Sequence, residues 1–289
     1  MYLCKIKTRN SDIYFIMKIK TLLIFYILLI TTQTWAQFNF PPSNARSNAM
    51  GGCYTSLNDY WSCIENIAGA ASIKDISIGI NYRNDYISPR QAYKSASFIM
   101  PFKNAGSTII HYTHYGNYIY NEQKLSTGYA MNISQSINIG ITIDYLHSGT
   151  SDSHYQNLNY LTCSVGIQFH PSNQLTLGAK IFNPIFIKTT TNANEHIPII
   201  FNLGISYFIL TDLLSSFEIE KNIYTPFICR FGLEYSITKN IFARIGFSTH
   251  TNIFGCGLGI KQHHYAIDIS TQFHPVLGIT PQISANYNF

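Results

Sequence analysis

Two carboxylates stand two residues apart, Glu218 and Glu220, alternating with Phe217 and Ile219. In an extended strand such spacing places both on one face, and a carboxylate pair with separated pKa values is the raw material of general acid–base catalysis. Arg83, Asp144, Arg230, Glu234, Arg244, Lys261 and Asp268 occupy the same phase in other alternating stretches. Acids and bases in such balance, facing one another, form ion-pair networks, and that structural reading outweighs catalysis here. His250, His263, His264 and His274 fall near expected turns or rims, where lone histidines are rarely ligands. There is no Gly-x-Ser-x-Gly elbow, phosphate loop, dinucleotide fingerprint or metal-ligand spacing. The expectation is a protein that is not an enzyme, with no cofactor and no metal.

The elements that carry these charges follow from the alternation itself. In Ile137–Leu146, Ile137, Ile139, Ile141, Ile143 and Tyr145 share one face, and Asn138, Gly140, Thr142 and Asp144 the other. Residues 227–238 and 253–261 repeat the pattern, one face aliphatic or aromatic and the other small, polar or charged. A water-soluble sandwich packs large apolar residues inward and charges outward. Small and charged residues sharing a face fit a hydrated or plugged lumen, and the aliphatic face fits lipid. Only 11% of residues are charged while 15% are aromatic, against roughly a quarter charged in soluble domains. The net charge of +5 contains no basic cluster pointing to nucleic acid.

The chain ends Ile283-Ser284-Ala285-Asn286-Tyr287-Asn288-Phe289. A strand finishing on an aromatic, with Tyr287 two residues before Phe289, looks like the closing strand of a bacterial outer-membrane barrel rather than an edge strand of a soluble sandwich. The fold expected is all-β, a transmembrane antiparallel β-barrel of about 14 strands. These are read at residues 76–84, 91–101, 106–116, 122–133, 136–147, 156–170, 174–183, 197–209, 213–222, 226–238, 240–250, 252–262, 263–273 and 278–289. Short polar turns such as 171–173 and 211–212 should face the periplasm, and the longer connections 148–154 and 184–196 the outside. The barrel proper then spans 76–289.

Two segments precede it. Residues 1–36 read as a secretory leader: Met17-Lys18-Ile19-Lys20, an apolar stretch, then Thr34-Trp35-Ala36, with cleavage expected between Ala36 and Gln37 and the true start at Met17. A membrane anchor is the alternative, for which the apolar run Leu22–Ile30 is short. Residues 37–75 form a plug candidate, rich in Gly and Ala. Cys53 and Cys63 flank its core and are a possible disulfide in an oxidising compartment, with two unpaired buried thiols as the default.

The motif within that segment is Met50-Gly51-Gly52-Cys53-Tyr54-Thr55-Ser56-Leu57, followed by Asn66-Ile67-Ala68-Gly69-Ala70-Ala71. It resembles the N-terminal region of the FadL-like outer-membrane barrels, and more closely the branch containing PorV and PorQ of type IX secretion. Met50, Gly51, Gly52, Tyr54, Asn66, Ala68 and Gly69 match, whereas Ile67 replaces the usual proline and Ala70 the usual leucine. The resemblance implies a small hatch filling the periplasmic end of the lumen. It also implies residence in the outer membrane and an accessory role in protein secretion or surface attachment, with secretion-system or secreted proteins as partners. The alternative implied is a FadL-like channel for hydrophobic small molecules. Such barrels carry a kinked strand opening a lateral gate, and Pro184 in Phe182-Asn183-Pro184-Ile185 is the candidate kink, a strand end being the plainer reading. An apolar lumen pocket with a real kink would favour uptake; a polar, hatch-filled lumen would favour partner binding.

Overall fold

The computed structural model describes residues 41–103, 105–152, 154, 156–188 and 197–289. The leader, its cleavage site and the first residues of the plug candidate lie outside the described residues.

Fourteen antiparallel strands close into one barrel. They are β1 Ser77–Asn84, β2 Ala92–Phe102, β3 Gly106–Gly116, β4 Tyr120–Asn132, β5 Ile137–Thr150, β6 Leu158–Ser172 and β7 Leu175–Lys188. Then follow β8 Ile200–Leu210, β9 Leu213–Asn222, β10 Ile228–Ser236, β11 Ile241–Ser248, β12 Ile253–Lys261, β13 Tyr265–His274 and β14 Gly278–Asn288. Each expected strand is present. Most boundaries differ by no more than two residues; the larger differences are β5, which continues through Thr150, β7, which runs to Lys188 across the stretch expected to be loop, and β8, which starts at Ile200 and not at 197.

Closure is made by β14 pairing back on β1, with Ser77 opposite Asn288 and Tyr82 opposite Ile283, and Phe289 N–H donating to Ile76 O. Tyr287 and Phe289 face outward, beside Ile78, Ile80 and Ile283. The alternation is as expected: in β1, Ser77, Gly79 and Asn81 are buried, while Ile80 is 67% exposed on the outside. The outer surface is a continuous apolar band that hydrocarbon can solvate without hydrogen bonding.

One end of the barrel carries the start of β1, the end of β14 and six connections of two to four residues, such as 133–136 and 211–212. We call it the turn end. The opposite, loop end carries longer links, including 85–91 and 223–227. The walls are uneven: β4–β7 have 13, 14, 15 and 14 residues, whereas β10–β13 have 9, 8, 9 and 10.

Inside lies the plug: helix α1 (Ala45–Ala49), a turn through Gly52, helix α2 (Tyr60–Glu65) and a 3-10 turn, Ile67–Ser72. Each start is capped by a side chain, as short helices require. Asn44 accepts from Ser47 N–H at 2.7 Å, Asp59 from Ser62 N–H at 2.6 Å and Asn66 from Ala68 N–H at 3.3 Å.

Removing Ala285–Phe289 deprives Ile76–Ile80 of their partners, and each backbone group left unpaired in lipid costs several kcal/mol. The truncated chain is expected to lose the folded, fast-migrating band that barrels show in unboiled SDS gels.

Candidate functional site

The plug is seated backbone to wall. Inward-facing glycines lie at its level on most strands, and a Cβ at many of them would strike it. At Gly246 it would overlap Met50 C and Gly51 N, and at Gly178 the Thr55 carbonyl. At Gly255 it would stand 2.5 Å from Asn48 O, and at Gly140 2.9 Å from Ile67. Gly51 itself has φ +70 and a would-be Cβ 2.5 Å from Phe247 O, so this motif glycine is required both by conformation and by close approach. Met50 is fully buried against Gly232. Ile67 stands where the resembled motif has proline, yet the turn forms, because Asn66 caps it and also donates to Thr55 O at 2.7 Å. The Ile67 side chain packs on Gly128 and Gly140. Ala68 and Gly69 complete the 3-10 turn, with Gly69 against Cys63 and Gln168.

The lumen charges hold this plug. Glu218 is buried and accepts from the backbone N–H groups of Tyr54 and Thr55 at 2.9 and 2.8 Å. Arg230 bridges Glu218 and Glu220 at 3.0 and 2.8 Å, and Asn202 donates to both. The two carboxylates that spacing marked as a candidate pair thus share one guanidinium. Arg46 of α1 donates to both oxygens of Glu234 at 2.7 Å and to Asp59 at 2.6 Å. Arg244 joins Glu234 to Asp268, with 2.6 Å to the latter. Burial pushes the Asp59 carboxyl up, but Arg46 and the Ser62 N–H outweigh it and hold the group below the usual carboxylate range. Asp59 therefore stays ionised and the Arg46 bridge stays charged.

Arg83 reaches the plug at Asn48 Oδ1, 2.9 Å away, and pairs with Asp85. Asp144 accepts from Ser126, Ser164 and Thr142 and lies 3.8 Å from Lys124. Lys261 lines a cavity of about 440 Å³ at the turn end, beside Arg46, Asp59, Glu234, Arg244 and Asp268. The structure thus brings Glu218, Glu220 and Arg230 into one cluster and Glu234, Arg244, Asp268 and Lys261 into another, leaving Arg83 and Asp144 apart. No group of metal-ligating side chains occurs among the described residues.

Of the two readings of Cys53 and Cys63, the structure shows the default of unpaired thiols and not the possible disulfide. Cys53 and Cys63 are both free and buried, in separate environments. Cys53 donates weakly to Ser216 O, and Cys63 packs among Tyr60, Trp61, Ile67 and Ala70. Burial pushes both thiols up, which keeps them protonated and inert.

Among the described residues, the wall is broken between β7 and β8. β7 pairs with β8 from Leu175–Tyr207 up to Phe182–Ile200 and no further. On the other side β7 continues along β6, but only after a three-residue bulge. Phe182 faces Ser164 and Phe186 faces Thr162, so Asn183, Pro184 and Ile185 oppose Cys163 alone. Asn183 has φ +58, a conformation asparagine tolerates better than most residues. Proline supplies no ladder donor. Pro184 therefore kinks a continuing strand and does not end it.

Behind the break, on the lumen side, Leu146, Tyr160, Phe182 and Ile197 form a buried apolar cluster with Leu158 and Ile200. It borders a cavity of about 100 Å³ between plug and wall, lined on one side by Pro41, Pro42, Phe182 and Ile200 and on the other by charged groups that include Glu65, Lys124, Lys180, Glu220 and Arg230. Neither the cluster nor the end of β7–β8 pairing was foreseen. The lone signal was Leu146 and Phe182 appearing at inward positions that elsewhere hold small or polar residues.

No protein-family model matches the chain, and no curated protein matches it in sequence. Solved structures do. The Ralstonia pickettii toluene transporter TbuX aligns at a TM-score of 0.66 and 12% identity, over 87% of this chain and 100% of its own. The Pseudomonas putida toluene transporter TodX aligns at 0.67 and 11%, over 88% and 100%. A FadL homologue of Pseudomonas aeruginosa aligns at 0.63 and 12%, over 88% and 100%. Identity this low carries the fold alone. The architecture is that of the FadL-type outer-membrane barrels, and nothing in these likenesses singles out the PorV/PorQ branch or a secretion partner.

Gly246→Val places two methyl groups where the plug backbone lies. Overpacking of this kind costs about 1–3 kcal/mol and should displace α1. Single-channel recording in planar bilayers should show a conducting pore in the variant and a closed one in the native protein.

Proposed function

We propose that the chain is a non-enzymatic outer-membrane channel for the uptake of hydrophobic small molecules, exchanging them sideways with the bilayer through the break between β7 and β8. The turn end then faces the periplasm and the loop end the exterior. The observation that carries this reading is the pairing of a kinked, continuing β7 with an apolar cluster directly behind it.

Three physical points support it. The plug is fitted against glycines and pinned by Glu218 and by Arg46–Glu234, so the axial route is filled. An apolar solute gains about 25 cal/mol for each Å² it removes from water, so the lumen patch of Phe182, Ile197 and Ile200 is the place inside the barrel where it settles. From there hydrocarbon is nearer than the periplasm. The activities for which the neighbours are named, transport of toluene by TbuX and TodX, agree in chemistry with such a patch. Partners on this reading are outer-membrane lipid and the hydrophobic ligand, in preference to the secretion proteins that the Met50–Leu57 motif implied.

Radiolabelled toluene supplied to cells with the barrel as the added porin tests the reading. Uptake should rise several-fold over cells lacking it, and Phe182→Asp, which sets a charge in the apolar cluster, should abolish the gain. Uptake equal to that of empty cells overturns the proposal. Recovery of secreted proteins with the gently extracted barrel, and no transport, would restore the export-accessory reading.

A further inference from the structure

Where the β7–β8 ladder stops, one side chain takes its place. The Asn183 carboxamide is fully buried, and its Nδ2 donates to the Ile197 carbonyl at 2.8 Å. Its Oδ1 accepts from Thr162 Oγ1 at 2.6 Å. The left-handed backbone at Asn183 turns this amide inward, away from the lipid its strand phase would otherwise address. On the far side of the break, Ile199 O still accepts from Ile223 N–H, so residues 197–199 remain attached to the β9 side. Among the described residues, the Asn183–Ile197 bond links β7 to the segment leading into β8 above Phe182–Ile200.

Ile197 has a second role. Its side chain, 4% exposed, is part of the apolar cluster with Phe182, Leu146 and Tyr160. One residue thus presents its side chain to the patch where an apolar solute settles and its carbonyl to the bond that spans the break.

We propose that Asn183 is the latch of the lateral opening and Ile197 its ligand-sensing partner: a hydrophobic molecule entering the Phe182–Ile197–Ile200 patch displaces Ile197, breaks its bond to the Asn183 amide and parts β7 from the segment leading into β8. The proposal rests on the uptake reading above and adds to it a specific switch. A neutral hydrogen bond is weak enough to yield to a ligand. A charged pair at this buried site would resist opening and cost more when broken. The carboxamide also solves the problem the kink creates, since the Ile197 carbonyl would otherwise face an apolar cluster without a donor.

Two substitutions isolate the latch without removing the kink. Asn183→Gly accepts the positive φ and deletes the amide. Asn183→Asp keeps an acceptor for Thr162 and loses the donor to Ile197. Hydrogen–deuterium exchange of full-length protein in lipid nanodiscs, followed at residues 197–201, reads the opening directly. Both variants should exchange about fivefold faster there, the ratio expected for one neutral hydrogen bond, with β11–β13 unchanged. Toluene should accelerate exchange at 197–201 in the native protein and add little in Asn183→Gly. Native-like exchange in both variants, or a native protein indifferent to toluene, overturns the latch. Faster exchange in the variants with toluene acceleration, but no toluene uptake by cells, sustains the latch and sinks the uptake reading. Uptake with unaltered exchange does the reverse.

Discussion

Everything in this molecule answers to one constraint: in hydrocarbon, a backbone N–H or C=O finds no partner but another protein group. Thirteen hairpin pairings and the closure of β14 on β1 satisfy it around almost the whole circumference. The same constraint explains the composition. With every backbone group spent on the wall, the outer surface needs only apolar side chains, and the inner surface is free to be small and polar. Charges then occur where they can be paired, and the paired ones converge on the plug.

The plug illustrates how far glycine substitutes for shape. A tube this narrow holds a folded segment only if the wall retreats, and strands retreat by losing Cβ atoms. Gly178, Gly246 and Gly255 receive plug backbone directly, while Glu218 receives the N–H groups of Tyr54 and Thr55 that the turn leaves without partners. Buried Glu218 would be costly alone; Arg230 and Asn202 complete its coordination. A plug fixed by this many directional contacts is a structural part of the barrel, and traffic through such a molecule must go around it.

All fourteen strands were legible because period-two alternation is forced on any wall with lipid on one side and a lumen on the other. The ionic character of Glu218, Glu220, Glu234 and Arg244 was legible for the same reason: their phase placed them inward and their signs balanced. What lay hidden was anything set by register or partner choice. Pro184 was visible as a missing donor, but kink and strand end share that signature, and only the continuation of β7 along β6 to Lys188 separates them. Cys53 and Cys63 flank the core of the plug in sequence, yet each packs into a different part of the plug and wall. Ile67 replaces the proline of the resembled motif; side-chain capping by Asn66 forms the turn without it, and no pattern of residue types announces that.

The break in the wall runs against the constraint on which the rest depends, and its position shows how the violation is contained. An apolar belt about 25 Å tall takes roughly ten residues of a tilted strand, at about 3.3 Å of rise each. The short wall, β10–β13, just spans it, so a gap there would leave the membrane unsealed. β7 lies in the tall wall and stays paired to β8 from Leu175 to Phe182, some 20 Å of height at the same rise and tilt. Counted from Leu175, the ladder therefore stops about four-fifths of the way up such a belt. The one carbonyl there that faces apolar side chains, that of Ile197, is met by the Asn183 amide. A lateral opening lower in the wall would expose unpaired groups to dry hydrocarbon each time it parted. At this height the cost of parting falls to about that of a single neutral hydrogen bond, small enough for an apolar ligand to offset by burial.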